Sequence, residues 1–271
     1  MQQRDCHFRS GDARLRLCDE GAGAAVVFIH GWTLDLDAWE PQAAELAGSF
    51  RVIRYDRRGF GLSEGRPGRA ADLEDLGVLL DHLRLDAATL VAHSQGARVA
   101  LAFALRQPER VAALALDGPP DETGDAAAAG DEDFSIAEYR RLVEEQGVDA
   151  FRRAWRSHPL MCLYTNDAAA RELAARILER YPARDLQGAA EAPPPPAGAS
   201  KLARLVKPVL IVNGEFDTLV RRRAGESLAR ALPLGERVVV PGAGHLPNID
   251  APRAYNDALR AFLDRQSRAA A

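Results

Sequence analysis

Lysine is nearly absent from this 271-residue chain, with Lys201 and Lys207 its two examples, and methionine is as scarce. Arginine and alanine abound instead, a compositional bias that carries no function of its own. Cysteine is sparse too. Cys6, Cys18 and Cys162 are odd in number and lack CxxC spacing, which excludes a disulfide framework and a cysteine zinc site. Nothing in the chain has metal-ligand spacing, so neither a metal nor an organic cofactor is expected. Positive charge is not in excess: the net charge is −4 and the pI about 5.9, which removes the electrostatic case for nucleic acid or an anionic membrane. No apolar run approaches the ~18 residues of a membrane span, and residues 1–10 lack the apolar core of a secretory signal. A soluble, cytoplasmic protein is the expectation. No internal repeat occurs, and no residue pattern specifies an oligomeric state.

What is present suffices for a core. Hydrophobic residues make up 47% of the chain, and its length suits one domain with a sizeable insertion. Residues 5–10 and 13–18 alternate about Ser10-Gly11-Asp12, predicting a hairpin. The continuous apolar run 24–29 predicts a strand buried on both faces, and further strands are read at 51–55, 88–92, 111–117, 208–213 and 237–240. Helical patterns lie between them at 38–47, 72–83, 96–106, 224–231 and 252–265. Such alternation predicts an α/β fold, a mostly parallel sheet of about eight strands flanked by helices. Residues 120–200 differ in kind. A small, acidic loop at 121–133 precedes helical patterns at 134–146, 148–157 and 166–181, and Pro193 to Pro196 reads as a stiff linker. The expected organisation is a core of residues 1–119 and 201–271 carrying a helical cap, or lid, at 120–200. The tail 269–271 is expected to fray.

The chain is organised around Val91-Ala92-His93-Ser94-Gln95-Gly96-Ala97. An apolar strand runs straight into a serine, and an apolar-periodic helix follows. Small residues bracket Ser94 at −2 (Ala92) and +2 (Gly96). This is the pattern of a nucleophile elbow, a sharp strand-to-helix turn with the serine on its strained tip.

Open parallel sheets gather functional groups at the carboxyl ends of their strands, and here those ends present His30-Gly31, Asp56, Ser94, Asp217 and His245. Ser94, Asp217 and His245 follow in the order serine, acid, histidine. With His30-Gly31-Trp32, Asp56-x-Arg58-Gly59-x-Gly61-x-Ser63, the elbow, Asp217 and Gly244-His245 in sequence, the chain resembles the α/β-hydrolase superfamily over nearly its whole length. It departs from G-x-S-x-G only in Ala92. The resemblance implies an α/β-hydrolase fold with an inserted cap.

A serine hydroxyl needs a base to become nucleophilic at neutral pH, and His245, in its Gly-Ala-Gly-His loop, is the candidate. Asp217 is the expected orienting acid, with Glu215 and Asp250 as competitors; the family's spacing from strand to acid favours Asp217. The resemblance further implies an oxyanion hole from the backbone N–H groups of Trp32 and Gln95, the latter at a helix N-terminus. His30 is expected to tether its loop, His93 to pack, and Asp56, Arg58 and Ser63 to brace the loop beneath. Expected substrate-binding residues are Trp32, Leu34, Arg98, Trp155, Leu219 and Leu246. Leu160 and Met161 are read first as packing between cap and core.

Serine at the elbow, where haloalkane dehalogenases and epoxide hydrolases carry aspartate, implies an acyl-enzyme. The reading is a serine hydrolase of small carboxylic esters or lactones with an apolar pocket and no cofactor. Its partner is a small molecule, not nucleic acid or membrane. Arg98, four residues after Ser94, leaves open a lyase resembling the menaquinone-pathway synthases, or a C–C hydrolase, acting on a carboxylate-bearing substrate. Leu246, where aromatic-ring C–C hydrolases carry tryptophan, argues against the latter. A cofactor-free haloperoxidase or perhydrolase, and a non-catalytic ligand receptor, also remain alternatives.

Overall fold

A computed structural model describes residues 5–124, 134–187 and 195–270. Residues 125–133 of the predicted acidic loop, Pro193 and Pro194 of the predicted linker, and Ala271 of the tail lie outside the described residues. The chain runs β1 (Asp5–Ser10), β2 (Ala13–Glu20), β3 (Ala25–Ile29), α1 (Glu40–Leu46), β4 (Arg51–Tyr55), α2 (Arg69–His82), β5 (Ala88–His93), α3 (Gln95–Arg106) and β6 (Val111–Asp117). Helices α4 (Ile136–Gln146), α5 (Val148–Arg156), α6 (Ala168–Arg180) and α7 (Ala199–Leu202) follow, and no strand occurs among the described residues between β6 and the next. Then come β7 (Val209–Gly214), α8 (Leu219–Ala231), β8 (Gly235–Val240), α9 (Pro247–Asp250) and α10 (Pro252–Ala270).

The eight strands form one sheet ordered β1-β2-β4-β3-β5-β6-β7-β8, in which β2 runs antiparallel to both its neighbours, β1 and β4, and every other pair is parallel. Its central strands are unbroken apolar runs because both faces are covered. Val27 and Ile29 of β3 and Leu90 and Ala92 of β5 enter a core with α2, α3 and Leu228 of α8. Their neighbours Val26, Phe28 and Val91 enter a second core with α1 and α10. Each fully buried Leu, Ile or Phe contributes about 2 kcal/mol of hydrophobic stabilisation.

A third core lies above the sheet. Trp32, Leu34, Phe60 and Leu246, on loops after the strands, pack with Phe151, Trp155, Leu178 and Tyr181 from the inserted helices. From β3 the chain moves outward to β4, then returns to β5 on the other side of β3. A crevice therefore opens between the carboxyl ends of β3 and β5, where such sheets bind ligands.

Several boundaries differ from the sequence reading: α2 begins three residues early at Arg69, and α10 continues to Ala270, so the first two residues of the tail expected to fray are helical. The helix expected at 38–47 is a 3-10 turn, Leu36–Trp39, followed by α1, because Pro41 sits in α1's first turn and starts a new helix. Helix α8 begins at Leu219, five residues early, capped by the Thr218 hydroxyl, which accepts from Arg221 N at 3.3 Å. Strand β8 begins at Gly235. As the sheet edge it is only partly buried, so Glu236 and Arg237 fit there without an apolar run.

Candidate active site

The crevice is built around the turn from β5 into α3. Ser94 has φ 51° and ψ −115°, a conformation L-residues avoid, at a cost of about 1–3 kcal/mol. Its N–H donates to Asp117 O at 2.7 Å, pinning the turn to β6. Gly96 is required by contact. A Cβ there would stand 2.5 Å from His30 O and 2.6 Å from Ile29 O, so any side chain would push α3 off β3. At the −2 position Ala92 is fully buried in the core below, where a methyl fits.

His245 and Asp217 meet from the loops after β8 and β7. Their Nδ1 and Oδ1 atoms lie 2.9 Å apart, both side chains being almost fully buried. Burial would push the Asp217 carboxyl up, but the charge and hydrogen bond of His245, with Arg221, hold it below its ordinary value. A neutral His245 thus carries its proton on Nδ1 and leaves Nε2 as the free base. Gly118 shapes this pair, since a Cβ there would lie 2.8 Å from His245 Nδ1.

The competing acids are occupied elsewhere. Glu215 accepts Gly242 N at 2.9 Å. Asp250 accepts Tyr164 N and Thr165 N on Oδ1 (2.8 and 2.7 Å) and Gly244 N on Oδ2 (2.8 Å), joining the inserted segment to the His245 loop.

His93 does more than pack. Its Nδ1 lies 3.1 Å from Asp117 Oδ2, its register partner on β6, and its ring centroid is 4.7 Å from that of His245. Burial holds the His93 imidazole below its ordinary pKa against the pull of Asp117, and burial raises the Asp117 carboxyl. Nothing in the sequence separated Asp117 and Gly118 from the end of a strand; only the parallel pairing of β5 with β6 brings them here.

Trp32 lines the cavity beside Ser94, Gln95 follows Ser94 as the first residue of α3, and neither backbone N–H donates to another described residue. His30 holds the loop between them through two hydrogen bonds, Nδ1 to Gly31 O (2.8 Å) and Nε2 to Arg57 N (2.9 Å). Below, the Asp56 carboxylate accepts Leu36 N and Leu62 N at 2.7 and 2.8 Å, and Ser63 Oγ donates to Asp56 O at 2.7 Å. Arg58 binds Asp75 bidentately at 3.0 and 2.7 Å.

Ser94 and His245 open on a narrow cavity of about 20 Å³, walled by Trp32, Leu34, Trp155, Leu160, Met161 and Leu246. Leu160 and Met161 therefore both pack and line. Phe134 also lines it, stacked on the Trp32 indole at 4.9 Å.

Two expected substrate residues are not brought there. Leu219 is 53% exposed at the start of α8. Arg98 donates to the buried Glu122, which also accepts Ala197 N at 2.9 Å. Arg98 thus holds the neck where the insertion leaves and rejoins the core, and its charge is neutralised.

The inserted helices are latched to the His30 loop side by polar contacts. Trp32 Nε1 donates to Asp185 (2.5 Å), Trp155 Nε1 to Thr33 Oγ1 (2.8 Å), and Arg180 to Asp35 (3.0 and 2.7 Å) and Asp37 (2.6 Å). Asp35 is pushed up to about 7, first by burial and then by Asp56, against Arg180. The unfolded chain releases this proton near pH 4, roughly the ordinary carboxylate value, while the folded chain keeps it to near 7. Asp35 therefore costs stability progressively as pH rises through that window. The melting temperature of Asp35→Asn relative to wild type is expected to rise between pH 4.5 and 7.5 and level off above. A difference independent of pH would show that Asp35 is ionised throughout.

Comparison with known proteins agrees with this architecture. Residues 24–252 match the family described as alpha/beta hydrolase fold. The chain is 28% identical over 270 residues to a putative 2-succinyl-6-hydroxy-2,4-cyclohexadiene-1-carboxylate synthase of Bacillus subtilis (strain 168), covering 94% of this chain and 96% of that one. It is 31% identical over 274 residues to the 2-hydroxymuconate semialdehyde hydrolase of Pseudomonas sp. (strain CF600), covering 95% and 93%. Among solved structures, a thermophilic esterase from Thermogutta terrifontis superposes with a TM-score of 0.79 at 27% identity, covering 98% of this chain and all of that one. No helix among the described residues is long and apolar enough to cross a membrane.

Proposed function

The chain belongs to the α/β-hydrolase family, and from that premise we propose that it is a serine hydrolase of small, uncharged carboxylic esters or lactones. The observation that carries this is the His245–Asp217 pair at 2.9 Å, buried beside Ser94 at one apolar cavity. Ser94 attacks the carbonyl while His245 Nε2 takes its proton and passes it to the leaving oxygen. Asp217 fixes the ring and offsets the charge it gains. The N–H groups of Trp32 and Gln95 receive the oxyanion. Water then attacks the acyl-enzyme with His245 again as base.

Residues 120–200 serve as the cap. A cavity of about 20 Å³ holds no more than a water or two, so the cap side chains must give way to admit an acyl group. The esterase relative fits this reading. The carboxylate named in the synthase relative's product would find no partner here, since no cation lines the described cavity and Arg98 is bound to Glu122. Burying a carboxylate there without a partner would be costly.

The test is a ladder of p-nitrophenyl esters from acetate to octanoate, with methyl butyrate beside monomethyl succinate, and peptide mass spectrometry of the quenched acyl-enzyme. The expected result is a short-chain optimum, an acyl mass on the Ser94 peptide, and at least about tenfold lower kcat/KM for the charged ester. Turnover without an adduct at Ser94, or preference for the charged ester, would overturn the reading.

A further inference from the structure

Two N–H groups can share one oxyanion only if their separation is fixed, yet Trp32 and Gln95 sit on different segments. We propose that Arg57, on the loop after β4, is the positioning residue that sets both. This rests on the acyl-enzyme reading above.

Toward Trp32, the Arg57 N–H donates to His30 Nε2 at 2.9 Å. A backbone N–H only donates, so Nε2 is bare and the His30 proton sits on Nδ1. That proton goes to Gly31 O at 2.8 Å. Gly31 C=O and Trp32 N–H belong to the same planar peptide group. Holding the oxygen fixes where the N–H points, and the hydrogen bond polarises the group toward a stronger donor.

Toward Gln95, the Arg57 guanidinium donates from Nη1 to Gln95 Oε1 at 2.9 Å and to His30 O at 3.4 Å. The guanidinium is itself fixed by Asp72, bidentately at 3.1 and 2.7 Å, and lies 4.9 Å from the Phe60 ring centroid. One buried residue thus reaches both donors, its backbone N–H acting through His30 on the Gly31–Trp32 peptide and its guanidinium acting on the Gln95 side chain. Removing Arg57 outright would strand the buried Asp72 carboxylate, so milder variants are needed.

Gln95→Met keeps length, backbone N–H and the Arg57–Asp72 pair, and deletes the side-chain amide whose oxygen Arg57 holds. Arg57→Lys keeps the charge and the backbone donor. The readouts are kcat and KM on the best p-nitrophenyl ester, and inhibition by butylboronic acid, which forms a tetrahedral anion on an active serine. Gln95→Met is expected to lower kcat and weaken boronate inhibition by the same factor, about tenfold, with KM and melting temperature little changed. Arg57→Lys should do the same, and the double variant no more than the stronger single one. Boronate inhibition that survives in both variants, or effects that multiply in the double variant, would overturn the inference. Wild-type protein indifferent to the boronate would instead overturn the acyl-enzyme reading on which it rests.

Discussion

Replacing Ser94 with alanine is expected to lower kcat for p-nitrophenyl esters by about 10⁵- to 10⁶-fold. The reason is specific to the site. His245 can activate only what lies against its Nε2, and the described residues around the cavity offer no second hydroxyl, thiol or amine nucleophile beside Ser94. Binding need not suffer, because the cavity walls are untouched. Stability separates this outcome from simple damage. Alanine keeps the Cβ, so the strain at φ 51° persists and the melting temperature should stay near wild type. Glycine at the same position relieves the strain, so Ser94→Gly is expected to be equally inactive yet more stable by about 1 kcal/mol. Turnover within tenfold of wild type in Ser94→Ala, measured after active-site titration, would remove the serine from the chemistry.

How much of this is legible in the sequence depends on the distance over which each signal acts. The strands β3, β5 and β7 were readable because burial on two faces imposes an unbroken apolar run. The elbow was readable because close approach of α3 to β3 demands a small residue at Gly96. The order of serine, acid and histidine needs no geometry at all.

What stayed hidden is tertiary. In the sequence Arg98 reads as available for a carboxylate because Glu122, its partner, lies 24 residues away on a segment that reads as a loop. By sequence both Asp217 and Asp250 are candidate partners of His245, and only the hydrogen bonds separate a carboxylate facing an imidazole from one collecting three backbone N–H groups. Asp117 and Phe134 carried no local mark. The pairing of β5 with β6 brings Asp117 in, and the docking of the inserted segment on Trp32 brings Phe134.

The two carboxylates flanking His245 should separate cleanly when each is made an amide. Asp217→Asn is expected to lower kcat by about 10³- to 10⁴-fold with little loss of stability. The amide cannot offset the positive charge that His245 gains. When its NH₂ turns toward Nδ1, the ring is driven into the tautomer whose proton blocks Nε2. Asp250→Asn should do the reverse. Oδ1 accepts Tyr164 N and Thr165 N and Oδ2 accepts Gly244 N, so either orientation of the amide sets an NH₂ against a backbone N–H. That mismatch costs about 1–3 kcal/mol, read as a lower melting temperature. The chemical step should lose far less than in Asp217→Asn, because the His245–Asp217 bond survives. Steady-state kinetics and thermal melts on the two variants decide the matter together. Should Asp250→Asn abolish turnover at unchanged melting temperature while Asp217→Asn retains it, the orienting acid is Asp250, and the 2.9 Å contact between His245 and Asp217 is structural.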